Sequence, residues 1–182
     1  MTQDPDITPD DRDWTYVIQE GCRECGFVPQ NPKTTGERLR AAIPVWRQAL
    51  GDETATRRPE PSVWSAAEYG CHVRDASRIF RERLELMLTV DDPVFANWDQ
   101  DATAIELDYG RQRPDVVAAE LASEVSETAA AFDAVQPEQW TRPGRRSNGS
   151  AFTVATFAVY FLHDIEHHVN DVRSSWGRVP SS

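Results

Sequence analysis

The chain has 182 residues, 40% of them hydrophobic and 27% charged, the proportions of an ordinary globular domain with one sizeable core. A formal charge of −11 argues against nucleic acid or an anionic membrane surface as partner, because phosphate binding needs a basic patch. No apolar run approaches the ~20 residues of a membrane span, the acidic start lacks the basic and apolar parts of a signal peptide, and three cysteines cannot all pair; the expectation is a cytoplasmic protein with free thiols.

Residues 1–32 read as an extension and residues 33–178 as one helical bundle. TTGERLRAAIPVWRQALGDE spaces Leu39, Ile43, Trp46 and Leu50 along one helical face, and Pro44 within it predicts a kink or a later start. Ser65 followed by Glu68 is a capping box, which opens a long helix through Leu88. Tyr69, His72, Val73, Ala76, Phe80, Leu84 and Met87 fall along one stripe of that helix, which turns His72 inward. From Thr89 to Arg113 the periodicity breaks into a long polar loop carrying Pro93 and Trp98, a kind of connection that often carries function. Pro114 suits the first position of a third helix burying Val117, Leu121, Val125 and Phe132. A second loop with Pro137, Pro143, Gly144 and Gly149 leads into SAFTVATFAVYFLHDIEHHVNDVRSSWG, a last helix apolar nearly all round in its first half and therefore central. The expected fold is all-α: a four-helix bundle with a short amino-terminal extension and a long loop between helices two and three.

Three of the four histidines crowd into HDIEHH on the last helix. His163 and His167 stand four apart, so their imidazoles project from one side on successive turns, within reach of one ion. His72, on the inward stripe of another helix, supplies a third nitrogen, and bundles build metal sites from such facing side chains. His72, His163 and His167 are thus the expected ligands of one divalent transition metal, zinc first, with nickel, iron, cobalt or manganese as alternatives. His168, about 100° round the helix from His167, is expected to point elsewhere. HDIEH also matches an inverted zinc-protease motif with Glu166 as base, but little chain follows His167 to supply the further ligand of such proteases. Cys22-x-x-Cys25 has no second cysteine pair to complete a structural zinc site. Its segment is read as packing Trp14, Tyr16 and Phe27 on the bundle, and Cys71 as a small buried residue.

WSAAEYGCHVRD, from Trp64 to Asp75, and HDIEHHVNDV, from His163 to Val172, resemble the DinB-like superfamily, which includes mycothiol-dependent maleylpyruvate isomerases and bacillithiol or mycothiol S-transferases. The resemblance covers the chain from about Thr35 to Trp176. It implies a four-helix bundle whose metal is held by one histidine of the second helix and two ligands four apart on the last, by position His72, His163 and His167. The isomerase branch tends to carry a glutamate where His163 stands, so the resemblance leans toward the S-transferase type. The related ergothioneine-type sulfoxide synthases show H-x-x-x-H-x-E, whereas Val169 stands two beyond His167, so an oxygen-activating iron is not implied.

The expected function is metal-dependent S-transfer, in which a low-molecular-weight thiol such as mycothiol is activated at the metal and attacks a small electrophile. A metal-dependent hydrolase and a non-enzymatic metal-binding or stress-response module are the alternatives. Glu68, one turn before His72, and Glu166 are the catalytic candidates. Trp98, Tyr160, Arg145 and Arg146 are candidates for substrate contact, the arginines as carboxylate binders; each also has a plain structural reading. The partners expected are a small-molecule thiol and its electrophile, with no nucleic acid and no membrane, and a homodimer is left open.

Overall fold

The computed structural model describes Ile7 and residues 12–175. Its helices are α1 (Val17–Glu20), α2 (Thr35–Leu50), α3 (Ala66–Thr89), α4 (Gln100–Glu106), α5 (Pro114–Asp133) and α6 (Val154–Ser175). Three short strands, β1 (Val94–Phe95), β2 (Pro143–Arg146) and β3 (Ala151–Thr153), lie in the connections. Trp176 and the far end of the expected 33–178 unit lie outside the described residues. The long helices α2, α3, α5 and α6 form the bundle; α5 and α6 each pack on both α2 and α3, giving the ring order α2, α5, α3, α6.

The helix ends follow from local chemistry. Ser65 caps α3, its Oγ accepting from the Glu68 backbone N–H at 3.3 Å, while Glu68 Oε2 accepts from the Ser65 N–H at 2.8 Å. Pro114 begins α5 and Thr153 precedes α6, with its Oγ1 accepting from the Thr156 N–H at 3.2 Å. Helix α2 runs from Thr35 to Leu50 through Pro44, so it starts no later than its periodicity suggests. Pro44 has no N–H to donate, and the helix absorbs that loss in mid-run.

Trp46, Phe132, Phe157 and Phe161 are fully buried, and Phe80 stacks on Phe157 and Phe161 at 4.8 and 4.6 Å between ring centroids. Each such side chain contributes about 1.5–3 kcal/mol through burial. Val17 and Phe27 of the extension join the same core, and α1 lies on α6, while Tyr16 stays exposed and stacks on Trp14. The two connections expected as plain loops are more ordered than their sequences suggest. Residues 89–113 contain β1, α4 and a 3-10 turn at Tyr109–Arg111. The segment before α6 forms the β2–β3 hairpin, with Gly144 opposite Phe152, and β1 adds in parallel, Val94 opposite Arg145. Phe95, Gly144 and Phe152 face inward while Val94 and Ala151 stay exposed, so this small sheet closes one end of an otherwise helical molecule. Among the described residues no helix is long and apolar enough to cross a membrane.

Candidate metal centre

The core stripe of α6, with Phe157, Phe161 and Ile165, fixes how the helix is rotated and therefore where its donors point. Two overlapping pairs spaced four apart result. His163 and His167 form one; Asp164 and His168 form the other, about 100° further round.

The second pair faces α3. His72, fully buried on α3, lies with Asp164 and His168 such that one donor atom of each falls within 4.8 Å of the others. His72 Nε2 is 3.6 Å from Asp164 Oδ2, and His168 Nε2 is 3.7 Å from Asp164 Oδ1. A four-coordinate ion with ligand bonds of about 2.1 Å sets donor separations near 3.4 Å, so these spacings need only a small contraction to close on one ion. His168 Nδ1 meets Asp171 Oδ2 at 2.9 Å, which leaves Nε2 as the nitrogen turned to Asp164. Both ring nitrogens of His72 are buried without a hydrogen-bond partner. Buried polar atoms normally find partners, and an ion among these donors would take Nε2, the nitrogen turned to Asp164. Burial opposes the charge on Asp164, yet the imidazoles of His72, His168 and His163 outweigh it and lower its pKa to about 2. Two imidazoles and one carboxylate suit zinc, iron or nickel and leave coordination positions for a second molecule.

A cavity of about 820 Å³ adjoins this group, with Trp14, Trp98, Arg146, Tyr160, Asp164 and His168 in its wall. Trp98 stacks on His72 at 5.3 Å and 11° and anchors its indole N–H on Thr103 Oγ1 at 2.8 Å. Trp64 covers His72 from another side, at 5.6 Å. Arg146 lies 5.1 Å over the Tyr160 ring and, with Arg12, brings a guanidinium to the cavity wall.

The residues singled out in the sequence divide accordingly. His163 and His167 do lie together, at 5.1 Å between ring centroids, but their donors gather with Cys22 and Cys25, whereas His72 gathers with Asp164 and His168. His168, expected to point elsewhere, meets His72 edge-on at 4.7 Å. Glu166 is held by Arg38 of α2 through two hydrogen bonds, 2.8 and 2.6 Å, and is not in the cavity wall. Glu68 is buried in its capping box and paired with Arg58; burial raises its pKa, but the Arg58 and Ser65 hydrogen bonds prevail and lower it. Trp98, Tyr160 and Arg146 line the cavity, while Arg145 turns outward to Asp92. Asp164 and His168 carry the same four-residue signal as His163 and His167, and Asp171 stands three beyond His168.

Comparison with known proteins agrees with this architecture. YfiT from Bacillus subtilis, described as a probable metal-dependent hydrolase with an unusual four-helix bundle topology, superposes with a TM-score of 0.68 at 16% identity, over 94% of this chain and 95% of that one. No curated protein matches the sequence. The profile of the DinB superfamily matches residues 5–172, nearly the whole chain, and the protein belongs to that superfamily.

Proposed function

We propose that the protein is a metal-dependent enzyme acting on small polar molecules, with one divalent ion held by His72, Asp164 and His168. The observation that carries this reading is the buried Nε2 of His72, without a hydrogen bond and 3.6 Å from the Asp164 carboxylate, grouped with a second imidazole beside a large cavity. When bound, such an ion supplies Lewis acidity and lowers the pKa of a nucleophile that reaches it. The chain's own residues do the rest. Trp98 and Trp64 pack His72 on its faces and keep bulk water from its ring. Asp171 orients His168. Arg146 offers a guanidinium to an anionic group of the substrate, and Tyr160 gives that group an apolar wall with a hydroxyl at its end.

S-transfer from a low-molecular-weight thiol of the mycothiol class is the reaction we favour, because the cavity is in the upper range of small-molecule sites and takes a thiol together with its electrophile. A carboxylate among the donors also brings the chain nearer the isomerase branch, which uses one in this helix, so a thiol-dependent isomerisation belongs to the same reading. Hydrolysis is the second reading, supported by the description of YfiT. The test is protein purified without a metal-binding tag, loaded with zinc, and assayed with a small thiol plus a generic electrophile and, separately, with activated esters. Turnover with thiol, lost in His72→Ala and on chelation, is the expected result. Turnover of ester alone would move the assignment to hydrolase, and His72→Ala with unchanged metal content and turnover would refute the centre.

A further inference from the structure

On the neighbouring stripe of α6 stands a second group of donors that the cavity chemistry does not use. Cys22, Cys25, His163 and His167 each bring one donor atom within 4.8 Å of the other three. We propose that these four residues bind zinc as a closed, four-coordinate structural site that fastens the amino-terminal extension to α6.

The donor chemistry is that of structural zinc, two thiolates and two imidazoles, with a C-x-x-C pair from one segment and a pair four apart from a helix. Cysteine spacing alone is short of two ligands. The fold supplies them from residues far along the chain. Cys22 Sγ lies 3.7 Å from His167 Nδ1, against about 3.5 Å for a sulfur–nitrogen edge when Zn–S is about 2.3 Å and Zn–N about 2.0 Å.

The loop that carries the thiols is built to present them together. The Gly26 N–H donates to Cys22 O and the Cys22 N–H to Phe27 O, both at 2.9 Å. Gly21 and Gly26 bracket the turn at φ 73° and 77°. At Gly21 a Cβ would sit 2.5 Å from Phe27 O, so no other residue fits there without moving the turn.

Burial makes the group costly without an ion. Cys22 and His163 are 4% and 3% exposed, and His163 Nε2 is buried with no hydrogen-bond partner. A disulfide between Cys22 and Cys25 accounts for the thiols and leaves the buried imidazole of His163 unexplained. Trp14 packs against both imidazoles, at 5.2 and 5.0 Å, and Phe27 against His163 at 5.3 Å; both imidazoles also reach the cavity wall, and it is the four protein donors that would fill a tetrahedral coordination sphere. The donors are disjoint from His72, Asp164 and His168, and the inference does not depend on the enzymatic reading.

The experiment replaces zinc by cobalt in the full-length, untagged protein. A tetrahedral site with thiolates gives sulfur-to-cobalt charge transfer in the near ultraviolet and an intense visible d–d band. Both should be present in the wild type and persist in His72→Ala, whereas Cys22→Ser with Cys25→Ser should abolish them and lose one metal equivalent per chain, the His72 centre keeping its own. In the wild type, Cys22 and Cys25 should resist a thiol reagent until a chelator is added, a readout that stands even if the double variant does not fold. Cobalt-loaded, fully reduced wild type without the charge-transfer band overturns the site, as does a protein mass lower by two hydrogens that shows Cys22 and Cys25 joined. Loss of the band in His72→Ala together with the cysteine variant would also overturn it, since it would mean one shared ion. Failure of turnover with the band intact leaves the structural site standing and removes only the enzymatic reading.

Discussion

Asp171 divides its carboxylate between two imidazoles, with Oδ2 at 2.9 Å from His168 Nδ1 and Oδ1 at 3.8 Å from His167 Nε2. The shorter contact selects the tautomer of His168 and raises the basicity of the nitrogen that turns to Asp164. Asp171→Ala should therefore weaken metal binding at the His72 centre about 10–100-fold, measured by competition with a chelator. Unchanged affinity would mean that His168 does not ligate. Much of this centre was visible in HDIEHH, but the rotation of α6 was not. Both pairs, His163 with His167 and Asp164 with His168, have the spacing of helical ligands, and only the seating of Phe157, Phe161 and Ile165 in the core decides which pair meets α3. Because the first half of this helix is apolar nearly all round, its pattern marks no single core stripe from which that rotation could be read.

At the scale of elements, two changes probe how the bundle is assembled. Ser65→Ala removes both the acceptor for the Glu68 N–H and the hydroxyl that donates to Glu68 Oε2 at 2.7 Å, and should cost about 1–2 kcal/mol in denaturant unfolding. Gly36→Ala should cost about 1–3 kcal/mol, because the added Cβ would stand 2.8 Å from the Ala129 carbonyl oxygen of α5, and backbone there cannot rotate away. A thermal midpoint equal to wild type would show that α2 and α5 can separate at no cost. Long helices were legible because their apolar residues repeat over many turns. The sheet was not, since β1 has two residues and pairs with β2 some fifty positions away, where no local pattern records the contact. The turn at Cys22 was legible as a motif, and its completion by α6 was a tertiary fact.

For the whole molecule, the buried imidazole of His163 sets a pH dependence. Burial, and then the nearby His167, lower its pKa from 6.5 to about 4. A lowered histidine pKa means that the unfolded chain takes up the proton first, so this stability is complete above pH 6.5 and is lost as pH falls toward 4. With metal removed, urea unfolding should show a loss on the order of 3 kcal/mol across that window. Asp164 acts lower, its depressed pKa adding a further loss between about pH 3.8 and 2. A flat profile from pH 6.5 to 4 would show that His163 is open to water. Restoring zinc should lift the midpoint at neutral pH, since ions that bind only the folded chain stabilise it by mass action. Each group of donors takes two of its residues from α6, and Asp171 reaches an imidazole of each. If both groups bind ions, their affinities are reciprocal: whatever factor an ion beside Cys22 imposes on binding at His72, an ion at His72 must impose in return.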